Sequence, residues 1–492
     1  MAIVLGIDCG TQSLKVLVYD SADKKVLTVA GASYGLACSA DGSREQEAAW
    51  WIDALKTSLA QVDKGLKARV DGIGVSAQQQ GFVPMTKAGE VLRPVKLWCD
   101  TTTSRECGAI MDVLGGSEKA IRDTGNRILP GYTATKILQL KEKWPEIYGR
   151  METFLLPHDY INYWLTGAFA MEFGDASATG LIDIARRTWH AGVLEAIDRD
   201  RDWGSTLPRL AEPGKPIGTL TREAGEALGM AAGIPVAAGG GDNMMAAIGL
   251  GAVADDVFAI SMGTSGTLYR TSSSPFLDSK GRIEAYCSSV GSWFPLVSTM
   301  NCTFAHEKIR NLFDADRAEF SALAEQAPIG CDGIVILPYL NGERTPNYPN
   351  GKGVIAGLNA LNLTKPNIAR ASMESAVYAL RLGAEAFEAL GSPAGAVRMT
   401  GGGAASAFWR QMVSDVFGVS VSVPEVRESA AFGAALDALW TLAGGGIDEI
   451  VAEHVRFDDA MAARPRAEAF DAYRLPYSTF KAYVDCLEPI FR

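Results

Sequence analysis

Two carboxylates stand where a strand end and a helix start need none. Asp8 closes the apolar run Ile3-Val4-Leu5-Gly6-Ile7, directly before Cys9-Gly10-Thr11-Gln12, and Asp242 follows Gly239-Gly240-Gly241 and precedes Asn243. An unpaired buried carboxylate is expensive, so each needs a reason. Asp8 either caps its own turn or faces Mg²⁺ with a phosphate nearby, as a hard oxygen ligand. Asp242 either caps the helix that follows it or accepts a proton from a substrate hydroxyl, with Asn243 beside it to hydrogen-bond a sugar. Small-residue turns complete the set: Gly10-Thr11-Gln12, Gly263-Thr264-Ser265 and Gly401-Gly402-Gly403-Ala404. Backbone N–H groups in Gly/Thr/Ser turns hold phosphate oxygens without Lys or Arg. Consecutive glycines let a flat ligand approach the backbone. Singly, each reads as an ordinary turn. Together with two carboxylates they describe phosphoryl transfer, in which a protein mainly positions groups and stabilises charge. There is no GxxxxGK[ST] motif, and Gly249-Leu250-Gly251 follows a helix-like run instead of a strand, which sets aside a dinucleotide fingerprint.

These residues need rigid elements behind them. Residues 3–8 and 13–19 read as a hairpin around the first turn. Residues 46–62 read as a helix, with Trp51, Leu55, Leu59 and Val62 at helical spacing. Residues 70–86 read as strand, polar tip (Gln78-Gln79-Gln80), strand. Helices are expected near 104–114, 134–148 and 158–166, and strand, glycine turn and helix over 233–251. Residues 255–272 repeat the opening strand–turn–strand about 250 residues later, which points to two similar halves. Residues 397–423 read as strand, glycine turn, helix and strand. Trp409, Met412, Val413, Val416 and Phe417 form the apolar face of that helix, and Gly418 stops it. Alternating strands and helices give an α/β fold. No low-complexity linker separates the halves, so they are expected to pack across a cleft.

Composition narrows the function. The chain has 492 residues, 48% hydrophobic and 21% charged, enough to bury a core without staples. A net charge of −11 and no Lys/Arg-rich run argue against nucleic acid as a partner. Eight cysteines lie scattered without CxxC pairs, as in reduced cytoplasmic proteins. His306-Glu307 begins like HExxH, but Arg310 occupies the second His position, which argues against zinc. Met1–Gly10 meets Asp8 too early for a signal peptide, and no apolar run is long enough to span a membrane. A cytoplasmic protein with no membrane partner is expected.

The longer motifs carry a resemblance. The two hairpins and the glycine–helix junction resemble the actin/hexokinase-like (ribonuclease H-like) sugar-kinase ATPase fold, two domains around a central cleft. Residues 400–424 resemble the C-terminal signature of the FGGY carbohydrate kinases. Residues 239–249, 261–267, 97–100, 156–167, 174–180 and 337–347 are similar to the xylulokinase branch of that family. The resemblance runs from Gly6 to about Gly446. It implies transfer of phosphate from ATP, with Mg²⁺, to a primary hydroxyl of a ketopentose, D-xylulose above others. Residues 1–248 would bind sugar and carry the first phosphate turn; residues 249–492 would carry the second and the adenosine site. By the same resemblance Asp242 is the catalytic base, and Asp8 supports Mg-ATP. Gly10, Thr11, Gln12, Gly263, Thr264 and Ser265 hold phosphates, and Gly401, Gly402, Gly403 and Ala404 hold adenosine. Gln78, Gln79, Gln80 and Asn243 touch the sugar. Trp98 and Asp100 read either as cleft wall and polar anchor, or as a core Trp with a surface Asp.

Two positions depart from the branch. Gln80 stands where xylulokinases commonly carry His; it keeps hydrogen-bonding capacity but cannot titrate near neutrality. Gln139 stands where the family's first signature tends to carry Trp. Other acceptors remain open: ribulose, L-xylulose or glycerol, although Thr101-Thr102-Thr103 replaces the Arg-containing motif of glycerol kinases. A non-catalytic nucleotide clamp of the actin type would use the same turns but lack Gln78, Asp242 and Asn243. Oligomeric state is left open, a homodimer included, as is the role of Lys15, which faces either cleft or solvent.

Overall fold

The strand β1 (Ile3–Cys9) is buried on both faces except at Asp8, as a central strand covered by helices must be. The computed structural model describes residues 1–491. β2 (Ser13–Asp20) folds back antiparallel on β1, β3 (Lys25–Ser33) continues the meander, and β4 (Val70–Ala77) returns parallel to β1 after helix α1 (Ala48–Ala60). Helices α2 (Pro157–Thr166) and α3 (Phe173–Ser177) follow, then β5 (Pro216–Thr219) and β6 (Pro235–Ala237). The seven-stranded sheet runs β5-β6-β4-β1-β2-β3, with the short β7 (Gly240–Gly241) also pairing β4. Helix α4 (Asp242–Gly249) leaves directly from β7.

The second half repeats the plan. β8 (Val257–Met262) and β9 (Gly266–Arg270) form the second hairpin, joined by β10 (Glu284–Cys287) and β11 (Trp293–Thr299). The long helix α5 (Lys365–Glu388) precedes β12 (Ala396–Thr400), which lies parallel to β8. Helix α6 (Ala407–Phe417) and β13 (Ser420–Ser422) follow, and the sheet order is β10-β11-β9-β8-β12-β13. Each half thus sets an antiparallel hairpin beside a parallel strand. The turns therefore emerge at the C-terminal ends of the parallel strands, where open α/β sheets bind ligands. The expected apolar face of α6 is buried at Trp409, Met412, Val413 and Val416. Ser406 caps the helix by accepting the Trp409 N–H, and Gly418 ends it at φ +70.

One element differs from the sequence reading. The helix expected over 134–148 divides into Thr133–Lys143 and Pro145–Arg150, because Pro145 has no N–H to continue the ladder. The strand expected after the glutamine tip is present as Val83–Met85, and it pairs with Thr153–Leu155 in a separate small sheet.

Helix α7 (Ser429–Ala443) comes from the second half yet lies on the first sheet, and four glycines let it approach. A Cβ at Gly6 would stand 1.9 Å from the Ala431 carbonyl oxygen, and one at Gly74 1.9 Å from that of Ala434. Where α7 crosses α4, a Cβ at Gly433 would stand 1.7 Å from the Met245 carbonyl oxygen and one at Gly249 2.0 Å from that of Ser429. These contacts are backbone against backbone, so no side chain can move aside. Gly433→Ala is expected to lower stability by about 1–3 kcal/mol, whereas Gly149→Ala, on a helix with nothing within 4 Å of its Cβ position, is expected to be neutral or stabilising. Urea unfolding of both variants checks this; equal midpoints would contradict it.

Candidate active site

β1 and β4 are adjacent and parallel, and their register places Asp8 beside Ser76, while Ser76 also pairs with Gly240. Three chain segments therefore end together. The Ser76 hydroxyl donates to Asp8 Oδ1 at 2.9 Å. Asp8 thus bonds across the sheet and does not cap its own turn. Burial pushes its carboxyl up to about 6, against the opposing pull of Ser76 and Lys15. Lys15 is the cross-strand partner of Asp8, so it shares that face of the sheet, but its ammonium is bonded to Glu428 at 2.7 Å, just ahead of α7. It braces α7 against the hairpin.

Asp242 is the first residue of α4; the capping position is Gly241, and the Asp242 carboxylate accepts the Asn243 N–H at 2.7 Å. Burial first, then the charge of Asp8, push its pKa up to about 7. Proximity to Asp8 and burial together leave this carboxyl poised to hold or release a proton near neutrality. The Asn243 side-chain amide donates to Gln79 Oε1 at 3.1 Å and to Asp242 Oδ1 at 3.1 Å, which joins the glutamine tip to the carboxylate.

The glutamine tip is wired to the first turn. Gln78 donates to Gln46 Oε1 at 2.9 Å, and Gln46 donates to the Thr11 carbonyl at 2.7 Å. The Trp98 indole N–H reaches Thr11 Oγ1 at 3.1 Å. Gln80 sits at φ +65, and its carbonyl accepts Lys136 Nζ at 2.7 Å and Thr133 Oγ1 at 3.1 Å. Lys136 is fully buried, also bonds the Gly131 carbonyl at 2.7 Å, and is lowered by burial to about 7. Gln46 and Lys136 carry no pattern that marks them in the sequence; only the contacts show that they fix the tip. Gln139, at the family's usual Trp position, donates to the Thr102 carbonyl at 2.8 Å.

Asp100 stands apart from this group. Its oxygens accept Lys96 Nζ at 2.8 Å, the Arg44 N–H at 3.0 Å, the Thr102 N–H at 2.9 Å and the Thr102 hydroxyl. A carboxylate has about four acceptor positions, and all are filled. Burial raises its pKa, but these donors outweigh burial and hold it below the ordinary carboxylate value. Asp100 is neither a surface residue nor an open sugar anchor; it braces the loop that carries Trp98.

Each glycine turn is closed by a backbone bond, and the second is one residue tighter than the first. Gly10 N–H bonds the Ser13 carbonyl at 3.0 Å, and Gly263 N–H bonds the Ser265 carbonyl at 3.0 Å. Among the described residues, the N–H groups of Thr11, Gln12, Thr264 and Ser265 have no backbone partner in these tips. Such paired free donors fit phosphate oxygens. The Gly263 carbonyl is held by Thr303 through its N–H and its hydroxyl. Gly401, at φ +81, packs on the Met262 backbone beside the second tip; a Cβ there would stand 2.6 Å from the Met262 carbonyl oxygen, while Gly402 faces open space. Around the site, Gln78 Oε1, Gln79 Nε2, Thr267 Oγ1 and Tyr269 OH are buried without partners. Tyr269 is close enough to Asp242 for that charge to raise its pKa further. Buried polar atoms are rarely left bare, so this set fits a ligand rich in hydroxyls. His306 belongs elsewhere: it packs on Phe320 and Trp409, and Glu307 is spent on Arg310 and Arg317.

Residues 3–249 match the N-terminal domain of the FGGY family of carbohydrate kinases and residues 258–442 its C-terminal domain. The xylulose kinase of Haemophilus influenzae is 39% identical over 490 residues, covering 98% of this chain and 99% of that protein. The xylulose kinase of Brucella ovis superposes at a TM-score of 0.92 with 27% identity, over 99% of this chain and all of that one. The gluconate kinase of Lactobacillus acidophilus shares the fold at a TM-score of 0.92 with 24% identity, over 100% and 99% of the two chains. The chain belongs to the FGGY family of carbohydrate kinases.

Proposed function

We propose that this kinase transfers the γ-phosphoryl group of ATP to the primary hydroxyl of a ketopentose, D-xylulose, giving D-xylulose 5-phosphate and ADP. The observation that carries it is the Asp242 carboxylate: half-buried, free of any capping task, raised to about 7 and joined through Asn243 to the glutamine tip. The two xylulose kinases among these relatives support the choice of sugar.

Asp242 takes the hydroxyl proton as that oxygen attacks the γ-phosphorus, while the bond to the bridging oxygen breaks and ADP leaves. Asn243 and Gln78–Gln80 orient the sugar, and the Trp98 ring walls the site. The N–H groups of the Thr11–Gln12 and Thr264–Ser265 tips take phosphate oxygens, where fixed donors cost no reorganisation as charge develops. Gly401–Ala404 accept the adenosine. Asp8 is the residue placed to hold Mg²⁺, which when bound supplies neutralising charge to the ATP phosphates. Its free carboxylate oxygen fits that task. We place sugar recognition and the first tip in residues 1–248 and the second tip and adenosine in 249–492, with closure between them excluding water. Among the described residues, no helix is long and apolar enough to cross a membrane; a cytoplasmic enzyme acting on sugar and ATP, as a monomer or homodimer, fits this reading.

Asp242→Asn is expected to lower kcat by at least about 10²-fold while nucleotide binding and melting stay near wild type; near-normal turnover would remove Asp242 from the role. The base must be ionised, so kcat/KM should fall as pH drops through about 7; a profile flat down to pH about 5 would contradict the assignment. A panel of free ketopentoses, polyols and gluconate, read by ADP release, should show strongest stimulation by D-xylulose. Greater stimulation by another acceptor would reassign the substrate, and none at all would favour a nucleotide clamp.

A further inference from the structure

Behind the Asp242 turn lies a second polar cluster that takes no part in the mechanism above. His158 is fully buried between two carboxylates: Nδ1 is 2.7 Å from Asp175 Oδ2, and Nε2 is 2.9 Å from Asp159 Oδ1. The Nδ1 contact is a hydrogen bond, whereas Nε2 and Asp159 Oδ1 lie at ion-pair distance without one; a ring flanked by two carboxylates is favoured in its doubly protonated, charged form.

The cluster grips the turn from several elements. His158 and Asp159 begin α2, and Asn162, one turn further on, donates to the Ala238 carbonyl at 2.8 Å. Asp175 lies on α3, and Glu172, just ahead of it, caps that helix through the Gly174 and Asp175 N–H groups. Glu172 and Ser289 lie directly under Gly240, where a Cβ would stand 3.2 Å from Glu172 Oε2 and 2.3 Å from Ser289 Oγ. Asp437, from α7, accepts the Gly239 N–H at 2.9 Å. Ala238 to Gly240 is therefore held by α2, α3 and α7, and His158 ties α2 to α3. His158 is also the cation whose charge favours ionisation of Asp159, Glu172 and Asp437.

We propose that His158 is a positioning residue for phosphoryl transfer: its imidazolium, flanked by Asp159 on its own helix, ties α2 to α3 through the bond to Asp175 and so fixes the glycine turn that presents Asp242. This rests on Asp242 being the base. The groups facing Asp242 are Asp8 from β1, Asp175 from α3, the Asn243 N–H of its own helix and Tyr269 from β9. The imidazolium is supported by its own environment: burial opposes the charge, but Asp159 and Asp175 outweigh it and hold His158 well above the ordinary histidine value.

The test is steady-state kinetics on His158→Gln and Asp175→Asn, with histidine ¹⁵N NMR on the wild-type protein, which has four histidines. His158→Gln should lose about 10- to 100-fold in kcat with KM for ATP within about twofold, and Asp175→Asn should also move the acid limb of kcat/KM to lower pH, because it removes a negative charge that raises Asp242. Both His158 nitrogens should remain protonated at pH about 8. A neutral His158 ring at that pH, or a folded His158→Gln variant with wild-type kcat, would overturn the proposal. If wild-type enzyme shows no sugar-stimulated ADP release, the functional reading fails instead; if it does and only these variants behave as wild type, the positioning role alone fails.

Discussion

Asp8 and Asp242 are held near one another in a buried place, where burial raises both carboxyls and the charge of Asp8 raises Asp242 further. That burial, with the charge of Asp8 added to it, governs the site. Left alone, the two groups would separate or stay protonated. The fold prevents separation by ending β1, β4 and β7 at one edge, in a register that sets Asp8, Ser76 and Gly240 side by side. What remains is a carboxyl with a pKa near the pH at which a sugar kinase works, and a second carboxylate that a bound cation would favour. The burial and repulsion that cost stability in the free protein are the same features that would suit Asp242 to the proposed role of base.

Holding such a pair requires stiff surroundings, and the glycines supply them. Gly6, Gly74, Gly249 and Gly433 bring α7 and α4 to backbone contact with the first sheet and with each other. α7 enters from the second half of the chain, so the element that follows the adenosine segment also carries Asp437 to the Gly239 N–H. The two halves are thereby joined at the back of the catalytic turn. Lys15 adds a further tie through Glu428, although both side chains are partly exposed and the pair contributes under about 1 kcal/mol.

The sequence was most legible where backbone chemistry dictates residue type. Both hairpins, the glycine turns and the apolar face of α6 follow from glycine positions and apolar spacing, and the repeat at 255–272 foreshadowed two sheets of one plan. Asp8 and Asp242 stood out because a carboxylate at those positions violates local expectation. What stayed hidden depends on contacts between distant segments. Gln46, Lys136 and His158 look like ordinary helix residues until the fold brings Thr11, Gln80 and Asp175 to them. Asp100 misled in the opposite sense: its place beside Trp98 suggested a ligand contact, while its oxygens are filled from Lys96, Arg44 and Thr102.

The central claim is that one geometry unites the glutamine tip, Asp242 and the two phosphate turns around a single acceptor hydroxyl. The most direct measurement is a crystal structure of the enzyme with D-xylulose and a non-hydrolysable ATP analogue. The account predicts the primary hydroxyl within hydrogen-bond distance of an Asp242 oxygen, about 2.6–3.2 Å, and the γ-phosphate between the Thr11–Gln12 and Thr264–Ser265 tips. A sugar bound with that hydroxyl turned away from Asp242, or phosphates lying outside both tips, would contradict it.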